Sequence, residues 1–177
     1  PYGVYVLNSN TGFINLGTDH DTSEFAVTSI AAWWDSCGKN SFPEARRIYI
    51  TCDGGGSNSS RSRAWKCELQ ELADYTGLEI MVSHYPPGAS KWNKIEHRMF
   101  CYISKNWQGK PLIDIETVVS LISNTTTKNG LKIDCLVDNN VYAIGRKVSD
   151  EELAQVNHIP YERLGKWNYT IMPNCKE

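Results

Sequence analysis

Two acidic residues stand where a chain can do chemistry. Asp53 closes the apolar run Arg47-Ile-Tyr-Ile-Thr-Cys-Asp53 and is followed at once by Gly54-Gly-Gly56. Glu96 follows a Pro-Pro-Gly loop in His84-Tyr-Pro-Pro-Gly-Ala-Ser-Lys-Trp-Asn-Lys-Ile-Glu96-His97. Carboxylates offer anionic oxygen to hard divalent cations, and two such ions about 3.5–4 Å apart clamp the attacking and leaving oxygens of a phosphoryl transfer. Metal-assisted phosphoryl transfer is therefore the chemistry that the pair suggests. Gly54 and Gly55 let backbone approach a ligand with no Cβ in the way. Each acid also has a plainer reading. Asp-Gly is a common turn dipeptide, and an acid is favourable at a helix N-terminus, where Glu96 can also pair with Lys94 or Arg98.

The surroundings of Glu96 are basic and aromatic. Between Pro86 and Lys110 lie Lys91, Lys94, Arg98, Lys105 and Lys110 against Glu96 alone, five positive charges to one negative. Trp92, Tyr102 and Trp107 interleave with them, as in surfaces that handle phosphates and bases together. A solvated helix face over core aromatics explains the same pattern. His84 and His97 lack the i, i+4 spacing of a zinc helix, so hydrogen bonding beside the acids is favoured over metal ligation. Asn93 is placed to cap the helix that carries Glu96. Ser57 has no Gly-x-Ser-x-Gly context for nucleophilic catalysis.

The elements that must position these residues are legible from pattern. Tyr2 to Leu7 and Phe13 to Leu16 read as strands of an antiparallel pair around Asn8-Ser-Asn-Thr-Gly12. Asp21-Thr-Ser-Glu24 reads as a capping box with Asp21 as N-cap, opening a helix from about Thr22 to Ser36. Arg47 to Cys52 is a short buried strand that delivers Asp53 at its carboxyl end. Trp65, Leu69, Leu72 and Ala73 stripe a helix that Gly77 terminates. Leu78 to Ser83 is the next strand, and Ile95, Met99, Tyr102 and Ile103 stripe a helix starting near Asn93 with Glu96 in its first turn. Asp114 to Ser123 reads as a helix and Leu131 to Val137 as a strand. The order β-β-α-β-α-β-α-α-β predicts an α/β fold with a mixed sheet covered by helices.

Composition narrows the classes. The 177 residues, with 41% hydrophobic and 11% aromatic content, suffice for one substantial core. No apolar run is long enough to span a bilayer, and no signal segment opens the chain, which reads as soluble and cytoplasmic. The six cysteines (Cys37, Cys52, Cys67, Cys101, Cys135, Cys175) form no C-x-x-C pair and read as reduced thiols. The net charge of −2 is unlike that of a self-sufficient nucleic-acid binder. Beginning at Pro1, the chain reads as a piece or processed product of a longer protein.

Several ordered blocks then carry a family resemblance. Ile50-Thr-Cys-Asp-Gly-Gly-Gly-Ser-Asn58, Trp65-Lys-Cys-Glu-Leu-Gln-Glu-Leu-Ala-Asp74 and His84 to His97 resemble the Rhodopirellula-type DDE transposases of bacterial insertion sequences. So do Asn106-Trp-Gln-Gly-Lys-Pro-Leu112, Thr125-Thr-Thr127, Gly130-Leu131 and Trp167-Asn-Tyr-Thr-Ile171, so the likeness covers nearly the whole chain. The segment before Glu96 is more distantly similar to mariner-type transposases.

The resemblance implies an RNase H-like mixed β-sheet with helices on both faces. It implies a catalytic core over residues 1–113 and an α+β extension of the same domain over 114–177. Asp53 and Glu96 match the second and third acids of the family. The first is expected on a strand upstream of Pro1, and Asp19 and Asp21 are poor substitutes just ahead of a helix. The implied function is metal-dependent strand cleavage and strand transfer at insertion-sequence ends, using a two-metal Mg²⁺ or Mn²⁺ site held by Asp53 and Glu96. The alternative is a truncated, inert remnant that binds DNA or protein. Lys91, Trp92, Lys94, Arg98 and Arg61 are the implied DNA contacts, with Asn93, His97, Gly54 and Gly55 in support. The implied partner is double-stranded DNA with terminal inverted repeats, in a bacterial cytoplasm, with a homodimer among the assemblies allowed.

Overall fold

The computed structural model describes residues 1–174. Its first elements are β1 (Tyr2–Val6), β2 (Thr11–Gly17), α1 (Ser23–Trp33), a π-helical turn (Trp34–Gly38), α2 (Lys39–Ser41) and β3 (Arg47–Asp53). Next come α3 (Arg63–Thr76), β4 (Glu79–Tyr85), a second π-helical turn (Glu96–Phe100), α4 (Cys101–Trp107) and α5 (Ile115–Ser123). The chain closes with β5 (Lys132–Asp138), α6 (Asp150–Ala154), β6 (His158–Pro160) and β7 (Asn168–Ile171). The fold is mixed α/β with two mixed sheets, consistent with an RNase H-like architecture. One sheet has the order β1-β2-β5 and the other β3-β4-β7-β6. These elements fall into two compact units, residues 1–19 with 91–141, and residues 20–90 with those from 142 onward.

The first unit is built on the predicted hairpin. β1 pairs antiparallel with β2, which in turn pairs parallel with β5. Asn10 supplies the left-handed turn residue at φ 54°, and Tyr5 donates to its side-chain oxygen at 2.8 Å. Ile14, Met99, Ile103, Ile122, Leu131 and Ile133 form the core, so the hairpin, α4, α5 and β5 share one apolar seam. Met99 lies flat against the hairpin, because Gly3 and Gly12 have no side chain there. A Cβ on Gly3 would stand 2.7 Å from the Phe100 ring and 2.8 Å from the Met99 methyl. β5 alternates as expected from Leu131 to Cys135, but Val137 is exposed and Asp138 is buried. The phase changes because Asp138 caps the strand end, accepting from Asn15 Nδ2 at 3.1 Å and from the Asn140 N–H at 2.9 Å.

The second unit layers α1 and α3 with a four-stranded sheet. The N-cap of α1 is Thr22 rather than the expected Asp21. Its Oγ1 accepts from the Phe25 N–H three residues on, at 3.1 Å, whereas Asp21 lies one residue too early for that bond. The helical run continues past the predicted end at Ser36 as the π turn and α2. α3 is capped by Ser62, buries Trp65, Leu69, Leu72 and Ala73 as its stripe predicts, and ends at Gly77 with φ 71°. β3 pairs parallel with β4 in a register that sets Asp53 opposite Tyr85. Cys37, Cys52, Cys67, Cys101 and Cys135 stand as thiols, while Cys175 lies outside the described residues.

Candidate active site

The candidate residues fall into two sets, one in each unit. Asp53, Gly54, Gly55 and Arg61 belong to the loop from β3 to α3. Lys91, Trp92, Asn93, Lys94, Glu96, His97 and Arg98 belong to the turn and helix start ahead of α4.

Asp53 is the last residue of β3 and is partly exposed. By strand alternation it shares a face with the exposed Tyr49 and Thr51, while Cys52 turns inward. Gly54 follows with the Tyr85 carbonyl 3.1 Å from where a Cβ would stand, and around Gly55 that space is open. Gly56 takes φ 60° at the head of a single 3₁₀ turn, Gly56–Asn58. Ser23 Oγ donates to the Ser57 carbonyl at 2.8 Å and ties this loop to the start of α1. Arg61 is exposed just before α3.

Behind Asp53 lies a buried polar network around His84, whose hydrogen bonding beside the acid was expected but whose partners Tyr169 and Trp65 were not. On β4 the inward positions are Ile80, Val82 and His84, so a histidine occupies the third site of an aliphatic row. Its Nε2 is 2.9 Å from the Tyr169 hydroxyl, and its Nδ1 is 3.3 Å from the Asp53 carbonyl and 3.4 Å from Cys52 Sγ. Trp65 Nε1 donates to the same Tyr169 hydroxyl at 2.9 Å. Burial lowers the His84 pKa, against a smaller opposing pull from its bond to the Asp53 backbone. Burial pushes the Cys52 thiol up to about 12, with the neighbouring Asp53 charge adding to it, and raises the Tyr169 phenol. The network is therefore neutral at ordinary pH. The signal for it was present in the sequence as a histidine in phase with Ile80 and Val82. Tyr169 was invisible as a partner because β7 is only four residues long.

Glu96 has a different setting. Asn93 is buried immediately before the first helical residue, and its carbonyl accepts from the Glu96 N–H at 3.2 Å. Glu96 is exposed and opens the π-helical turn, with Met99 fully buried one turn on. Such turns occur often at functional sites. His97 donates from Nε2 to the Lys91 carbonyl and ties the preceding 3₁₀ turn to this helix. Lys91, Lys94 and Arg98 are exposed. Trp92 is 66% exposed, with the Lys91 ammonium 5.5 Å from its ring centre, so it is a surface aromatic. Trp107, by contrast, packs against the core of its unit.

The family model of the Rhodopirellula transposase DDE domain matches residues 1–173. The chain belongs to that family. No curated protein and no solved structure matches it. The matched range takes in the segments around both Asp53 and Glu96. Transposases of this kind generally use divalent metal. The donors present suit such an ion: Asp53 and Glu96 offer hard carboxylate oxygen, and the space around Gly55 is open. Among the described residues no three His, Cys, Asp or Glu side chains form a metal-binding group. Among them, too, no helix is long and apolar enough to cross a membrane.

Proposed function

We propose that this DDE transposase domain cleaves and joins DNA strands at insertion-sequence ends, with Asp53 and Glu96 as carboxylate ligands for Mg²⁺ or Mn²⁺. The reading is supported above all by Asp53: a partly exposed acid at the carboxyl end of a strand, followed by glycines of which Gly55 has open space around it, in a chain matched by the family over residues 1–173. When bound, the divalent metal supplies charge neutralisation at the phosphoryl oxygens and lowers the pKa of water.

The chain's own residues do the rest. Asp53 and Glu96 hold anionic oxygen where the DNA phosphate reacts. Lys91, Lys94 and Arg98, with Arg61 from the other unit, meet backbone phosphates, and Trp92 offers a face on which an opened base can stack. Asn93 and His97 hold the start of the Glu96 helix and the Lys91 turn in place. The reaction class is hydrolysis of a phosphodiester that frees a 3′-hydroxyl, followed by attack of that hydroxyl on target DNA, with no covalent enzyme intermediate. The substrate is double-stranded DNA with terminal inverted repeats.

The test is nicking of such DNA by the full-length protein in Mg²⁺ or Mn²⁺. Cleavage is expected to vanish in Asp53→Ala and Glu96→Ala, and unchanged cleavage in both would overturn the reading. The inert-remnant reading, which rests on the unmatched first acid, expects salt-sensitive DNA retention without cleavage.

A further inference from the structure

We infer that the polar cleft between α4 and α5 is a further phosphate-binding site, in which Lys105 and Tyr102 hold the DNA backbone a few nucleotides away from Glu96. The inference rests on the reading of the domain as one that acts on DNA, and extends it to a surface beyond the Glu96 turn.

The cleft has a volume of about 300 Å³ and is lined by Tyr102, Lys105, Asn106, Asn124, Thr125 and Thr126, all within the first unit. Its floor is a closed set of hydrogen bonds. Asn106 Nδ2 donates to the Leu121 carbonyl at 2.6 Å and to Thr125 Oγ1 at 3.1 Å, and the buried Thr125 hydroxyl donates to the same carbonyl at 2.8 Å. Asn124 Nδ2 covers the Ser120 carbonyl at 2.9 Å, and the Thr125 N–H covers that of Ile122 at 2.9 Å. These carbonyls form the carboxyl end of α5, where the helix dipole repels anions. The donors on them offset that repulsion, and Asn106 pins α4 to α5 at this point.

Donor counting then decides what the cleft can take. Asn106, Asn124 and Thr125 spend their hydrogens on the floor or on Ser120, and Thr126 gives its own to the Leu131 carbonyl at 3.0 Å. The Lys105 ammonium and the Tyr102 hydroxyl are left to donate, and among the described residues neither has an ion-pair or hydrogen-bond partner. Lys105 Nζ lies 5.5 Å from the centre of the Tyr102 ring, so the two stand together on one side of α4. Lys110 adds positive charge beside the floor, donating to Asn106 Oδ1 at 3.2 Å, and no carboxylate lines the cleft. An ammonium and a phenol without a carboxylate suit an anion, and the volume admits a phosphate with its sugar.

The helix ties this cleft to the acid. The run that opens at Glu96 continues into α4, and from 96 to 105 it covers roughly 13 Å at helical rise. That is about four steps along a DNA strand. A strand reacting at Glu96 and following α4 therefore passes the cleft within a few nucleotides. Two of the ordered sequence blocks, Asn106 to Leu112 and Thr125 to Thr127, meet here rather than at the acids.

Binding of the 177-residue chain to a short DNA duplex, followed by fluorescence anisotropy over a salt series, tests the site. Each phosphate contact adds about one to the slope of log affinity against log salt. K105Q is expected to lower the slope by about one, alike on duplexes of unrelated sequence, while K105R keeps it. K132Q, at an exposed lysine of β5 in the same unit, is expected to change it far less. Equal falls in K105Q and K132Q would mark diffuse electrostatics and overturn the site. Y102F keeps the ring and loses only the hydroxyl: a loss of about 3-fold in affinity at unchanged slope is expected, and unaltered affinity overturns the pairing of hydroxyl with ammonium. The duplex should also shift the Asn106 side-chain amide in the NMR spectrum, and an unmoved signal counts against the site. Failure of the wild-type chain to retain duplex at low salt sinks the DNA reading and the inference with it, whereas salt-dependent retention that K105Q leaves unchanged sinks the cleft alone.

Discussion

The two candidate acids are held in opposite ways. Asp53 stands at the end of a strand backed by buried polar groups, in which Trp65, Tyr169 and His84 satisfy one another. Glu96 stands exposed on a helix start whose seat is apolar: Met99 is pressed onto Gly3 and Gly12, over a core of Ile14, Ile103 and Ile122. A polar seat is specific about direction, because a hydrogen bond fails when its partner turns. An apolar seat is specific about shape, and tolerates rotation until atoms collide. The contrast teaches that one acid is placed by bonding and the other by volume, and each should fail in its own manner.

The largest effect is expected from Trp65→Ala. It removes a fully buried indole and leaves the Tyr169 hydroxyl one donor short, so urea unfolding should show a loss of about 3–5 kcal/mol. A loss under 1 kcal/mol would deny the polar seat its role. Gly12→Ala attacks the apolar seat by volume, since the new Cβ meets the Met99 sulfur. A cost of about 1–3 kcal/mol is expected, recovered in part by a smaller residue at 99. No such recovery would mean that the collision is not what matters.

How far these seats could be read in advance differs between them. The apolar one was legible: Met99 and Ile103 recur at helical spacing, and the hairpin signals gave boundaries close to those observed. The polar one was not. Its members come from α3, β4 and β7, so only tertiary structure brings Trp65 and Tyr169 together across 104 positions of sequence. β7 has four residues, β6 three, and neither carries enough alternation to declare a strand. Asp138 was missed for a related reason, as its partner Asn15 lies on a different strand. Asp53 and Glu96 drew notice because each adjoins a turn signal, the glycines that follow Asp53 and the Pro-Pro-Gly loop that precedes Glu96.

Acid should distinguish the seats as well. Burial holds the His84 and His158 imidazoles below the ordinary histidine value of 6.5, so the unfolded chain takes up protons that the folded unit refuses. The stability that these groups contribute is complete above about pH 6.5 and is lost as the pH falls below it. Unfolding midpoints between pH 8 and 5 should therefore decline, and replacing both histidines with asparagine should flatten that decline. An equally steep decline without them would assign it elsewhere. The smallest effect is expected at Glu96, whose exposed carboxylate touches little: Glu96→Gln should change stability by less than about 0.5 kcal/mol. A larger loss would make Glu96 a structural residue.

Metal ligation by the two acids is tested most directly by exchanging carboxylate for thiolate. In the full-length protein, Asp53→Cys and Glu96→Cys are expected to abolish nicking of terminal-repeat DNA in Mg²⁺, which binds sulfur poorly, and to regain part of it in Mn²⁺, which accepts sulfur more readily. Full activity of either cysteine variant in Mg²⁺ would contradict a ligand role for that acid.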